Sequence, residues 1–306
     1  MKFEIVDTES AYRRLLETDS AAEREAIFRD ELIKPFAGLV QTFGFGENGL
    51  AAFAAWSMTP EQFAPENRET MRAVIDALTK ANAWERAAKA LEKGWAAFAN
   101  YADRVKLETN VFGLMVADMS NAPWTKGYTG FGAIPGYIMT VYGTPDEYNL
   151  ERVEAATVHE LHHNLMGAIG TDSGAAVDWK NAMNSVTVGE YMIGEGLAEA
   201  FATELYGEDV AGPWVTELSE SDLQQAKSII RDALNLTGFN TIRGYIFGDM
   251  VADTMNLPKT GVPPLGGYAI GYRVVKAYIQ RTGKSVVDTS FVPAKEIIEE
   301  SGYFAA

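Results

Sequence analysis

Apolar residues recur at three- and four-residue spacing from the start of the chain to about residue 100, and then the period changes. That spacing lines one face of a helix, whereas runs of β-branched and aromatic residues suit strands. The switch predicts an α+β fold, predominantly helical with a small mixed β-sheet. The opening MKFEIVDTESAYRRLLETDS reads as a capped amphipathic helix. Ser20-Ala21-Ala22-Glu23 is a capping-box candidate, and Thr59-Pro60-Glu61-Gln62 a better one, with Pro at the first helical position. ENRETMRAVIDALTKA and ERAAKALEKGWAAFANYADRV are amphipathic, and their Trp and Phe positions are predicted to be core.

Two segments then read as strands, VKLETNVFGLMVADM (105–119) and YTGFGAIPGYIMTVYG (128–143). Thr144-Pro145-Asp146-Glu147 opens a long helix through Leu150, Val153, Val158, Leu161 and Leu165, ended by Gly167 or Gly170. A second long helix is predicted from about Val188 to Tyr206, closed by Gly207. The rest is helical, with a Gly- and Pro-rich break before a helix beginning near Gly271. Within that break Leu257-Pro258-Lys259-Thr260-Gly261 matches a cell-wall sorting pattern but lacks the export peptide and apolar tail such a signal needs, so a loop is expected.

Composition excludes several partners. Lys and Arg total 26 against 42 Asp and Glu, and a net charge of −16 repels phosphate backbones, so no nucleic-acid partner is expected. No apolar stretch approaches the roughly 18 residues of a membrane span, and the first twenty residues do not resemble a secretory signal. No membrane association is expected, and the cytoplasm is the predicted compartment. With no cysteine, thiolate catalysis and thiolate metal sites are excluded.

The chain has three histidines, and all lie in His159-Glu160-Leu161-His162-His163. On a helix, positions i and i+4 sit nearly above one another, so His159 and His163 can present two imidazoles to one ion. Glu160, rotated by roughly 100°, can reach a water on that ion without ligating it. Zinc with three protein ligands keeps a position open and lowers the pKa of water to roughly 7, leaving Glu160 to act as general base. His162 is expected to support the site from behind or to pack.

Without further histidine or cysteine, the third ligand must be a carboxylate. A three-histidine zincin site fails because Met166 and Ile169 stand where Gly and His are needed, and a helical di-iron site fails for want of a second Glu-x-x-His. The best source is Ile193-Gly194-Glu195-Gly196-Leu197-Ala198-Glu199, where Glu195 and Glu199 share a helix face. One can ligate zinc while the other accepts the free N–H of a ligand histidine. Gly194 and Gly196 each cost about 1 kcal/mol relative to Ala in a helix interior, which close approach of another helix would explain.

Together with Gly267-Tyr268-Ala269-Ile270-Gly271-Tyr272-Arg273-Val274-Val275, the H-E-L-H-H and E-G-L-A-E segments resemble the DUF2268 (YjaZ-like) family of predicted zinc-dependent proteases and, more distantly, the gluzincins. The likeness spans roughly residues 100–303. It implies a gluzincin-like active-site helix pair in a metallopeptidase domain over 101–306, after an N-terminal helical region over 1–100. It further implies one Zn2+ ion, Glu195 as third ligand, Glu199 as the supporting carboxylate and a peptide or protein substrate. Gly194 stands where Asn is usual in the gluzincin segment. Tyr268, Tyr272 and Arg273 lie in the family-like segment and are candidate donors to a developing oxyanion. The stretch 128–143 can serve either as an open edge for an extended peptide or as an ordinary core strand. The alternatives are a zinc-binding module that holds a peptide or protein partner without turnover, and a zinc hydrolase of non-peptide amides or esters.

Overall fold

In the computed structural model the β-rich region forms Thr109–Val116 (β2), Tyr128–Phe131 (β3) and Tyr137–Tyr142 (β4). Residues 1–43, 49–169 and 184–305 are described, in two compact units, Met1–Gly170 and Thr171–Ala306. The fold is predominantly helical with one small mixed sheet.

The first unit holds the sheet, in which Lys2–Ile5 (β1) completes the order β1-β2-β4-β3. Strand β1 is paired in parallel with β2; β2 is parallel to β4, and β3 runs antiparallel to β4. The opening residues are thus not helical as expected. Lys-Phe-Glu-Ile is too short for its period to decide a structure, and pairing with β2, more than a hundred residues on, makes it a strand. The helix begins only at Thr8, with the Asp7 side chain accepting from the Ser10 N–H. It is tied to β2 at both ends of its first turn: Thr8 Oγ1 donates to Leu114 O (2.6 Å), and the Val116 N–H donates to Tyr12 Oη (2.9 Å).

Other local expectations divide. Ser20 caps Ala21–Ile27, accepting from the Glu23 N–H, whereas Thr59 makes no side-chain cap and Pro60–Phe63 is a single 3-10 turn. Phe98 is fully buried, but Trp95 is half-buried. The segment 128–143 is a hairpin, not one strand, because Gly132, Pro135 and Gly136 interrupt it. The helix expected from residue 144 is also divided. Glu147–Glu151, capped by Asp146, breaks at Arg152, and Val153–Ile169, the histidine helix, follows. Gly167 lies within it, and Gly170 lies outside the described residues. This helix packs on β3 and β4 and against the helix Ala83–Ala97.

In the second unit Val188–Tyr206, the glutamate helix, is apolar nearly all round and correspondingly buried. A reciprocal Thr187–Glu190 capping box starts it and Gly207 follows it, as expected. It packs against Gly266–Thr282, Phe239–Met255 and Ala294–Ser301. The crossing with Gly266–Thr282 is backbone to backbone: a Cβ at Gly196 would collide with the Gly271 carbonyl, and one at Gly271 with Met192 O. Close approach therefore explains Gly196. It does not explain Gly194, where a Cβ would meet nothing within 4 Å. Gly266–Thr282 starts five residues before the predicted Gly271, because Gly266 and Gly267 pack directly on Val262 and Ile246 and offset their poor helix propensity. Leu257–Gly261 is a loop, as expected, held by the Asp249 carboxylate, which accepts the N–H groups of Thr260 (2.8 Å) and Gly261 (3.1 Å). Among the described residues no helix is long and apolar enough to cross a membrane.

Candidate metal centre

One helical turn separates His159 from His163, and their Nε2 atoms face each other at 3.2 Å. Two nitrogens each about 2.0–2.1 Å from a tetrahedral ion stand about 3.3 Å apart, so the pair is already spaced for zinc. His159 is buried and His163 half-buried. One ligand atom each from His159, His163 and Glu195 lie within 4.8 Å of one another, and Glu195 is only 7% exposed. Two imidazoles and a carboxylate are the donor set of a three-ligand zinc site, and convergent donors of this kind, two buried and one half-buried, fit the ion.

Glu160, half-exposed, points toward the edge of the sheet. A Cβ at Gly130 would collide with Glu160 Cγ and Oε1, and one at Gly132 with the Glu160 carbonyl. Only glycine lets β3 and the loop after it come this near. His162 is buried, and its ring lies 6.1 Å from that of Phe98.

Glu199, one turn beyond Glu195, is 3% exposed. Its Oε1 accepts the Gly212 N–H (2.6 Å) and its Oε2 the indole N–H of Trp214 (2.8 Å). The Trp214 ring tilts against Tyr268 (centroids 6.4 Å), which stacks on Phe247 (6.0 Å). Tyr272 is engaged elsewhere. Its hydroxyl donates to Glu208 and lies 3.2 Å from Thr203 Oγ1. Burial, reinforced by the Glu208 hydrogen bond, pushes its pKa well above the ordinary phenol value. Glu208 moves the other way: burial opposes ionisation, but hydrogen bonds from Lys276 and Tyr272 outweigh it and hold the carboxyl below its usual range. Arg273 Nη1 donates to the carbonyls of Val215 and Ala269, both at 3.1 Å.

Three residues beside these groups escaped the sequence reading: Trp214, Gly130 and Asn164, whose side-chain amide donates to the Gly132 carbonyl (3.0 Å). A polar residue directly after His163, inside an apolar helix, was the legible hint of Asn164. Nothing local marks Trp214 or Gly130, whose roles depend on partners distant in sequence.

His159, His163 and Glu195 are thus a group that could hold a metal ion. The chain belongs to the DUF2268 family, described as predicted Zn-dependent proteases, whose model matches residues 83–299. It is 32% identical over 292 residues to the uncharacterized protein YjfC of Bacillus subtilis (strain 168), covering 92% of this chain and 93% of the relative. No solved structure matches the chain.

Proposed function

We propose that the protein is a peptide hydrolase using one zinc ion held by His159, His163 and Glu195, with Glu160 as general base. The observation that carries the reading is the convergence of the three donors beside a carboxylate rotated off the ligand face. When bound, zinc supplies the Lewis acidity that makes water nucleophilic near neutral pH. Glu160 accepts the proton of the attacking water and returns it to the leaving amine. Glu199, itself held by Gly212 and Trp214, orients a ligand histidine by accepting its other N–H.

Of the three oxyanion candidates we assign the role to Tyr268. Its ring packs on the indole that donates to Glu199 and so stands beside the supporting carboxylate. An extended peptide would lie along β3, the strand at one end of the sheet order, whose outer backbone groups suit strand addition. Residues 101–306 carry every group in this mechanism.

Glu160→Gln is expected to retain one zinc per chain and lose peptide hydrolysis by a factor of roughly 10² or more. His163→Ala and Glu195→Ala should lose the metal. Full activity in Glu160→Gln refutes the base, and stoichiometric zinc in both ligand variants refutes the ligand set.

A further inference from the structure

Asn164 follows His163 on the histidine helix and is completely buried. A buried carboxamide offers two N–H donors and an oxygen with two lone pairs, all of which need partners. Here every one is used, and all but one of the partners lie in or beside a single loop. The amide nitrogen lies within hydrogen-bonding distance of the carbonyls of Gly132 (3.0 Å), Ile134 (2.8 Å) and Tyr137 (2.9 Å), so its two hydrogens are shared among three acceptors. The oxygen accepts the Gly136 N–H (3.0 Å) and the side-chain amide of Asn110 on β2 (2.6 Å). Gly136 has φ +93°, which turns its N–H inward at no steric cost. One turn along the helix, a Cβ on Gly167 would lie 3.1 Å from Pro135 Cγ, so helix and loop are also in close contact there.

The residues from 132 to 136 connect β3 to β4. Strand β3 is therefore anchored on its inner side by pairing with β4 and at its end by a side chain of the helix that carries the histidines. At that end stand Gly130 and Gly132, at each of which a Cβ would collide with Glu160. We infer that Asn164 is a positioning residue: it locks β3 and its loop against the histidine helix, so that the backbone at Gly130 walls in the Glu160 carboxylate and restricts it to one orientation. The inference rests on Glu160 being the base, because a misplacement of about 1 Å matters only where geometry limits a reaction.

The test uses the zinc-loaded full chain as wild type, Asn164→Ala, Gly130→Ala and Glu160→Gln. Zinc content, kcat and KM on a peptide substrate, and amide hydrogen exchange over residues 128–142 and 153–169 are measured. Asn164→Ala should keep one zinc and a KM within threefold of wild type. Its kcat should fall tenfold or more, and exchange over 128–137 should rise at least tenfold with 153–169 unchanged. Gly130→Ala leaves the clamp intact but intrudes on the carboxylate; it should keep zinc and the protected loop and still lose tenfold in kcat. Unchanged exchange over 128–137 in Asn164→Ala overturns the inference, as does a kcat within twofold of wild type in either variant. If Asn164→Ala does not fold, Gly130→Ala decides. A fully active Glu160→Gln sinks the hydrolase reading itself, whereas an inactive Glu160→Gln beside a wild-type-like Asn164→Ala sinks only the clamp.

Discussion

Gly194 and Gly196 lie two residues apart in one helix, and Ala substitution at each should move stability in opposite directions. Replacing Gly by Ala in a helix interior gains about 1 kcal/mol of propensity. At Gly194 nothing opposes that gain, since a Cβ there would meet nothing within 4 Å. At Gly196 the new carbon would collide with the Gly271 carbonyl and stand 2.8 Å from Tyr272 N. Both are backbone atoms that cannot swing aside, so the two helices must part by about 1 Å, at a cost near the upper end of the ~1–3 kcal/mol typical of overpacking. The net expectation is about 2 kcal/mol of destabilisation for Gly196→Ala against about 1 kcal/mol of stabilisation for Gly194→Ala. With a urea m-value of roughly 2 kcal/mol/M, the midpoint should fall by about 1 M in the first and rise by about 0.5 M in the second. Because the displaced segment carries Glu195, Gly196→Ala should also bind zinc more weakly, which chelator competition reads. A Gly196→Ala protein as stable as Gly194→Ala would refute the backbone-contact reasoning.

Trp214→Phe removes the indole donor to Glu199 while keeping an aromatic ring, and should weaken zinc binding about tenfold, measured by competition with a metal indicator. Tyr268→Phe should lower kcat by about 10²-fold, whereas Tyr272→Phe, which loses only the contacts to Glu208 and Thr203, should leave it within about threefold; steady-state kinetics on both variants separates the two tyrosines. Glu208 has a depressed folded-state pKa, so its contribution is present above its unfolded value and lost as pH falls through the folded one. With its side chain 61% exposed, that contribution should be under about 1 kcal/mol at pH 7. Urea midpoints of wild type and Glu208→Gln should therefore differ slightly at pH 7 and converge below about pH 4.

The histidine helix, the glutamate helix and the loop at Leu257–Gly261 were legible because each is specified within its own span. Apolar period, a Thr187–Glu190 box and a following Gly207 act over a few residues, so no distant partner is needed to recognise them. The pair His159 and His163 shared this advantage, since i and i+4 on one helix meet whatever the rest of the chain does. Strand β1 was misread for the opposite reason: four residues form a strand only because β2 is there to accept them. The division of 128–143 into a hairpin and the early start of Gly266–Thr282 likewise turn on glycines whose packing partners lie elsewhere in the chain.

By itself, then, the sequence determined the α+β class, the helix that carries His159, Glu160 and His163, and, by the absence of cysteine and further histidine, that any side chain completing a metal site with the two histidines would be a carboxylate. Tertiary structure alone decided that Gly130 and Gly132 bring the sheet edge against Glu160, that Asn164 anchors the loop behind them, that Trp214 and Gly212 hold Glu199, and that Tyr272 is bound to Glu208. The physical reason is range. Helical periodicity and capping are set by neighbours within about four residues, whereas a close approach or a buried hydrogen bond exists only once segments far apart in the chain have been packed together.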